Sequence, residues 1–93
     1  MQSTASTDRA RELEVFVAAI QGGSFSAAGR KLGLSPSAVS RTIDRIEARL
    51  GVRLILRTTR VLTLTAEGQT YHGAARRILA DLDDAERQIA DQG

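Results

Sequence analysis

Ser37, Ser40, Arg41, Thr42 and Arg45 lie within nine residues of one another. Arginine offers a rigid fork of N–H donors that fits a guanine edge or a phosphate in bidentate fashion, and hydroxyls donate or accept at shorter reach. Threaded among them, Val39, Ile43, Ile46 and Leu50 repeat at i, i+4, i+7 and i+11, the period of a helix with one buried face. At about 100° per residue, Ser37, Arg41, Arg45 and Ala48 fall on the opposite face. A helix that hides an apolar stripe and offers arginine and hydroxyls can read base edges and phosphates with its first two turns. The competing account is a solvated helix face, because exposed arginines are ordinary, so the flanking sequence has to decide.

The flanking sequence is strongly polarised. Between Ser24 and Leu64 stand eight basic residues and two acidic ones, Asp44 and Glu47, a local balance of +6. From Thr65 onward three arginines face six acids, and the whole chain carries only +2. A basic middle of this kind is the electrostatic footprint of a polyanion partner, and double-stranded DNA is the reading that fits. Two short β-like runs, 53–57 and 61–64, are joined through Thr58, Thr59 and Arg60, giving a hairpin tip with Arg57 and Arg60 on its flanks. Arginine on such a hairpin can enter a narrow minor groove. Charge that protects an edge strand is the alternative, and Arg53 is not assigned between the two.

The elements that must position these groups are legible from caps and stripes. Leu13, Phe16, Val17 and Ile20 form the stripe of a first helix over about 9–21, ended by Gly22-Gly23. Ser24 caps a second helix reaching Leu32, with Phe25, Ala28 and Leu32 inward, closed by Gly33. Gly29 inside it is expected to cost about 1 kcal/mol relative to alanine. Ser35 caps the third helix, with Pro36 at its first position, and Gly51 stops it. Ser24 and Ser35 are explained by capping, whereas Ser26 is not needed as a cap and is a candidate phosphate contact. Thr65 caps a long last helix with Glu67 in its first turn. Tyr71, Ala75, Ile78, Leu82, Ala85 and Ile89 run along it at spacings of four and three, a thin heptad seam suited to close helix packing.

The fold class that follows is mainly α: three helices plus a two-stranded wing, a winged helix-turn-helix, and then a long linker helix. The division is a flexible leader over 1–8, a DNA-binding unit over 9–64 and a dimerisation helix over 65–93. Leu79, beside the seam, joins Ala75, Ile78, Leu82, Ala85 and Ile89 in the expected dimer interface.

Composition excludes much else. There is no cysteine and one histidine, His72, which removes disulfides, thiolate catalysis and the usual zinc clusters. His72 has no nucleophile spaced against it and reads as a surface histidine, and Asp81, Asp83 and Asp84 point different ways around a helix rather than at one metal. No enzyme, cofactor or metal is expected. No apolar run approaches the ~18–20 residues needed to cross a bilayer. The amino terminus lacks the basic and apolar regions of a signal peptide, so a cytoplasmic protein without membrane attachment is expected. Three aromatics, Phe16, Phe25 and Tyr71, are too few for a single-strand stacking surface. A protein–protein module using the same helices is the rival class, and it has no use for a basic helix face and wing.

Residues 24–28 (Ser-Phe-Ser-Ala-Ala), 34–43 (Leu-Ser-Pro-Ser-Ala-Val-Ser-Arg-Thr-Ile), 45–54 (Arg-Ile-Glu-Ala-Arg-Leu-Gly-Val-Arg-Leu) and 64–68 (Leu-Thr-Ala-Glu-Gly) together resemble the amino-terminal domain of LysR-type transcriptional regulators. The resemblance covers about 13–82. It implies a winged helix-turn-helix whose linker helices pair antiparallel in a homodimer on an inverted-repeat operator. It also implies that Ser40 and Arg41 are the recognition-helix pair, and Arg57 the wing arginine that enters the minor groove. Some members carry Gln-Pro where this chain has Pro36-Ser37, so readout by that glutamine is absent here. Members often have Phe where this chain has Ile55. Such regulators are longer and bind a small-molecule inducer in a further domain, which is expected only in a full-length parent.

Overall fold

The structure, a computed structural model, describes residues 4–57 and 61–92, with side chains from Arg9 onward. Four helices and two short strands follow one another as α1 (Thr4–Gly22), α2 (Phe25–Leu32), α3 (Pro36–Leu50), β1 (Ile55–Leu56), β2 (Thr63–Leu64) and α4 (Ala66–Gln92). The α1 helix starts at Thr4, earlier than the expected Arg9. No glycine or proline interrupts 4–8, and adding residues to an existing helix is cheap once its nucleus has formed.

The core is built around α1, which packs against α2, α3 and α4. Being surrounded, it buries Val15, Ala18 and Ala19 as well as Phe16 and Val17 of the expected stripe, while Leu13 and Ile20 are half-buried. Ala28, Val39, Ile43, Ile46, Leu54 and Ile55 complete the cluster. The α3 stripe holds at Val39, Ile43 and Ile46, but Leu50 is 43% exposed. Periodicity marks which side of a helix is apolar; burial also needs neighbours opposite, and at the last turn the described residues cover Leu50 only in part.

The caps form as their residue types dictate. Ser24 Oγ accepts from Ala27 N at 3.0 Å and Ser35 Oγ from Ala38 N at 3.1 Å. Gly33 and Gly51 close α2 and α3. The wing strands are shorter than expected, two residues each, antiparallel with Ile55 opposite Leu64 and Leu56 opposite Thr63. Leu54 and Ile55 direct their N–H groups to the Glu47 carboxylate, at 2.8 and 3.3 Å, so the ladder cannot extend back to Arg53. Thr65 ties wing to last helix: its hydroxyl donates to Arg53 O at 2.7 Å and accepts from Gly68 N at 2.9 Å.

The first half of α4 belongs to this core. Tyr71 stacks obliquely on Phe16, ring centroids 5.4 Å apart, and His72 meets Phe16 edge-on at 6.0 Å. His72 is therefore half-buried rather than a surface residue; burial, and then Arg76, push its pKa below the usual histidine value. Ala75 is fully buried against its own domain. That removes it from the expected dimer interface, because a small residue placed here lets α4 close on the core. Beyond it the seam emerges, with Ile78 50%, Leu82 45% and Ile89 70% exposed. Ala85 is exposed and Leu79 half-buried.

Gly29 has a different role from the one its helical position suggested. It is buried, its carbonyl accepts from Leu34 N at 2.9 Å, and an added Cβ would collide with the Leu34 carbonyl oxygen. Backbone meets backbone there, with no flexible side chain able to yield. Gly29→Ala, favourable by helix propensity alone, is thus expected to destabilise by about 1–3 kcal/mol through overpacking. Thermal unfolding checks this, since a domain of this size shifts by about 4–8 °C per kcal/mol; an unchanged or raised midpoint would contradict the packing account.

Candidate nucleic-acid interface

The turn 33–35 sets α3 across α2, and the Ser35 cap fixes where α3 begins. Pro36, Ser37 and Arg41 are exposed in the first two turns, with Ser40 half-buried beside them. Among the described residues Arg41 forms no ion pair or side-chain hydrogen bond, so its donors face outward uncommitted. Ser26 is exposed in the first turn of α2.

Thr42 departs from the expectation that it reaches DNA. It is buried; its hydroxyl donates to Ala38 O at 2.9 Å and accepts from Arg45 Nη2 at 3.2 Å. Back-bonding to the preceding turn is a common alternative for a helical threonine, and it converts Thr42 from a contact into a support for Arg45. Arg45 is steadied further by Glu12, at 3.6 Å, and Arg49 meets the same carboxylate at 2.8 Å. The sequence reading missed Glu12. Its position beside the α1 stripe was the only available signal, and an acid there reads as surface until α3 is placed against it.

Glu47, which by sequence is only one of two acids in the basic middle, organises the wing root. It is buried and accepts the Leu54 and Ile55 N–H groups. One oxygen, Oε1, takes Arg53 at 3.2 Å and Arg57 at 3.0 Å. Burial alone would raise its pKa, but the two N–H donors and then Arg57 and Arg53 outweigh that and hold the carboxyl below the usual glutamate range. Arg57 also pairs with Asp44 at 2.9 Å. Arg57 therefore joins the polar side of α3, and Arg53, unassigned from sequence, is a mostly exposed partner of Glu47. Thr58, Thr59 and Arg60, the expected wing-tip contacts, lie outside the described residues.

Ser37, Arg41, Asp44 and Arg45 thus lie exposed along α3, with Arg57 joined to it through Asp44, and α3 is presented by its neighbour α2 and flanked by a β hairpin. Three helices and a two-stranded wing in this order define a winged helix-turn-helix domain, followed here by a long helix. The chain matches the family described as bacterial regulatory helix-turn-helix protein, lysR family, over residues 10–69, and it belongs to that family, whose members are transcriptional regulators rather than enzymes. It is 49% identical over 78 residues to the HTH-type transcriptional regulator CrgA of Neisseria meningitidis, covering 84% of this chain and 26% of that protein. It is 46% identical over 79 residues to PtxR of Pseudomonas aeruginosa, covering 85% and 25%. The chain thus spans about a quarter of the length of these relatives. Among solved structures it resembles the BenM DNA-binding domain in complex with benA site 1 DNA, with TM-score 0.85, 30% identity, and coverage of 90% of this chain and 98% of that one. The corresponding values for the CbnR DNA-binding domain–DNA complex are 0.77, 34%, 90% and 98%.

Glu47 makes a pH-dependent contribution to stability. A carboxyl whose folded pKa is lowered stabilises fully above the ordinary glutamate value of about 4.3 and loses that stabilisation as pH falls through the folded value. Glu47→Gln is expected to cost about 1–3 kcal/mol at neutral pH by leaving buried N–H donors poorly satisfied. The gap from the unsubstituted chain should narrow below pH ~4 as the native carboxyl protonates. Urea unfolding across pH measures it; a gap independent of pH would show that the charge on Glu47 contributes nothing.

Proposed function

We propose that this chain is the sequence-specific, double-stranded DNA-binding domain of a LysR-type regulator, acting as a homodimer without enzymatic activity of its own, in the cytoplasm. The observation that carries the reading is the α3 face: Arg41 exposed and uncommitted in the second turn of a helix whose other side is locked into the core. In this reading Arg41 and Ser40 contact base edges, Ser37 and the Pro36 turn approach them, Arg45 and Ser26 hold phosphates, and Arg57 with the wing tip 58–60 serves the adjoining groove. The DNA complexes of the BenM and CbnR domains support it; among the described residues no helix is long and apolar enough to cross a membrane. A small-molecule inducer would concern only a full-length parent.

Dimerisation follows from α4. Ile78, Leu82 and Ile89 lie on a helix whose outer half its own domain leaves uncovered, and pairing with a second copy buries them and fixes the spacing of two recognition helices. The preferred site is then an inverted repeat.

Arg41→Ala should weaken binding to a duplex selected from a random pool by about 1–3 kcal/mol and relax selectivity at one or two positions. The logarithm of affinity should fall with that of salt concentration by about 0.9 per phosphate contact. Titrations at several salt concentrations test both; binding indifferent to salt would refute the DNA reading, and equal loss on all sequences would make Arg41 a phosphate contact.

Leu82→Asp should leave the fold intact and yield a monomer by sedimentation, with weak binding to one half-site, because the second half-site no longer benefits from tethering. A substituted chain that still dimerises at micromolar concentration would show that the seam has another role.

A further inference from the structure

The stretch from Ser24 to Leu64 contains just two acidic residues, Asp44 and Glu47, and both meet the same nitrogen of the same arginine. Arg57 Nη2 lies 2.9 Å from Asp44 Oδ1 and 3.0 Å from Glu47 Oε1. The two carboxylates differ in kind. Glu47 is buried, already accepts two backbone N–H groups and pairs with Arg53, so it is a fixed part of the wing root. Asp44 is 56% exposed at its side chain and, among the described residues, has no ion-pair partner besides Arg57. It sits three residues beyond Arg41 on the same side of α3, a negative charge within the surface offered to DNA. No packing or capping duty accounts for it.

We propose that Asp44 is a specificity-determining residue that competes with DNA for Arg57, adding to the hold of Glu47 on the same nitrogen, so that Arg57 engages a groove only by leaving Asp44 as well as Glu47. This rests on the DNA-binding reading above. The pair lowers the apparent affinity by the fraction of molecules in which Arg57 is released. A narrow, A·T-rich minor groove concentrates negative potential and draws arginine strongly, so it displaces Asp44; a wider groove leaves the pair closed and gains little from Arg57. Neutralising Asp44 therefore sharpens the preference for A·T pairs beneath the wing, whereas a charge that merely repelled phosphates would, on removal, tighten all sequences alike.

The test compares the unsubstituted chain, Asp44→Asn, Arg57→Ala and the double variant. The probes are two duplexes derived from a pool-selected site, differing only in A·T or G·C pairs beneath the wing, in dilute salt. Asp44→Asn should melt as the unsubstituted chain does and bind the A·T duplex about twofold to fivefold more tightly, the range expected for removing one partly exposed ion pair while Glu47 still holds Arg57. The gain should be smaller on the G·C duplex and vanish in the Arg57→Ala background. An equal gain on both duplexes, or one that persists without Arg57, would overturn the inference in favour of plain repulsion. No change, or weaker binding by Asp44→Asn, would also overturn it by showing that the pair does not withhold Arg57. These failures leave DNA binding by the unsubstituted chain intact; if that chain binds neither duplex, the DNA reading falls and this inference with it.

Discussion

The Glu47 carboxylate sits where the recognition helix meets the wing, taken out of water and surrounded by four donors: two backbone N–H groups and two guanidinium groups. A buried charge is tolerated only when its hydrogen-bonding capacity is filled, and filling it here determines where β1 can begin. From that point the constraint passes along the chain. Leu54 O accepts from Thr65 N at 3.0 Å, Thr65 caps α4, and Gly68 has no side chain because the Leu54 carbonyl occupies the space a Cβ would need. One side chain on α3 is thus linked, through the wing root, to the start of the long helix.

A looser version of this arrangement lies at Glu12 on α1, which is within ion-pair distance of Arg45 and Arg49 but leaves Oε1 without a hydrogen bond, whereas Glu47 hydrogen-bonds both Arg53 and Arg57. Each buried carboxylate converts two long, mobile cations into positioned ones, at the cost of part of their attraction for phosphate. The basic middle of the chain is consequently less uniform than its charge count suggests. Of the arginines on α3 and the described wing residues, Arg41 alone has no side-chain partner among the described residues, which is why it is the one proposed to read a groove. Preorganisation of the flanking arginines reduces the side-chain entropy lost on binding, which favours an interface with a fixed register over a diffuse cationic patch.

The long helix divides between two duties. Its first half is cemented to α1 through Phe16, Tyr71, His72 and Ala75, which fixes the direction of its second half. The exposed residues Ile78, Leu82 and Ile89 continue the same stripe, so a partner helix laid along it would be rigidly related to α3. For a small domain with a limited core, association of this kind also adds buried apolar area that the single chain lacks.

The four helices, their caps at Ser24, Ser35 and Thr65, their ends at Gly33 and Gly51, and the basic face of α3 were all legible in the sequence. Each depends on residues within a turn or two of one another, where stereochemistry and helical period act without reference to the rest of the chain. Tertiary structure decided what depended on distant neighbours. Thr42 turned inward, Leu50 was left uncovered and Ala75 was claimed by the core, although nothing in their periodicity separates them from residues that behaved as expected. Gly29 changed from a weakness to a necessity because the Leu34 carbonyl crosses its backbone. Glu12, Asp44 and Glu47 read as ordinary surface acids until folding set arginines against them. A charge counts toward a local balance by sequence alone, but what it holds follows from the groups the fold places opposite it.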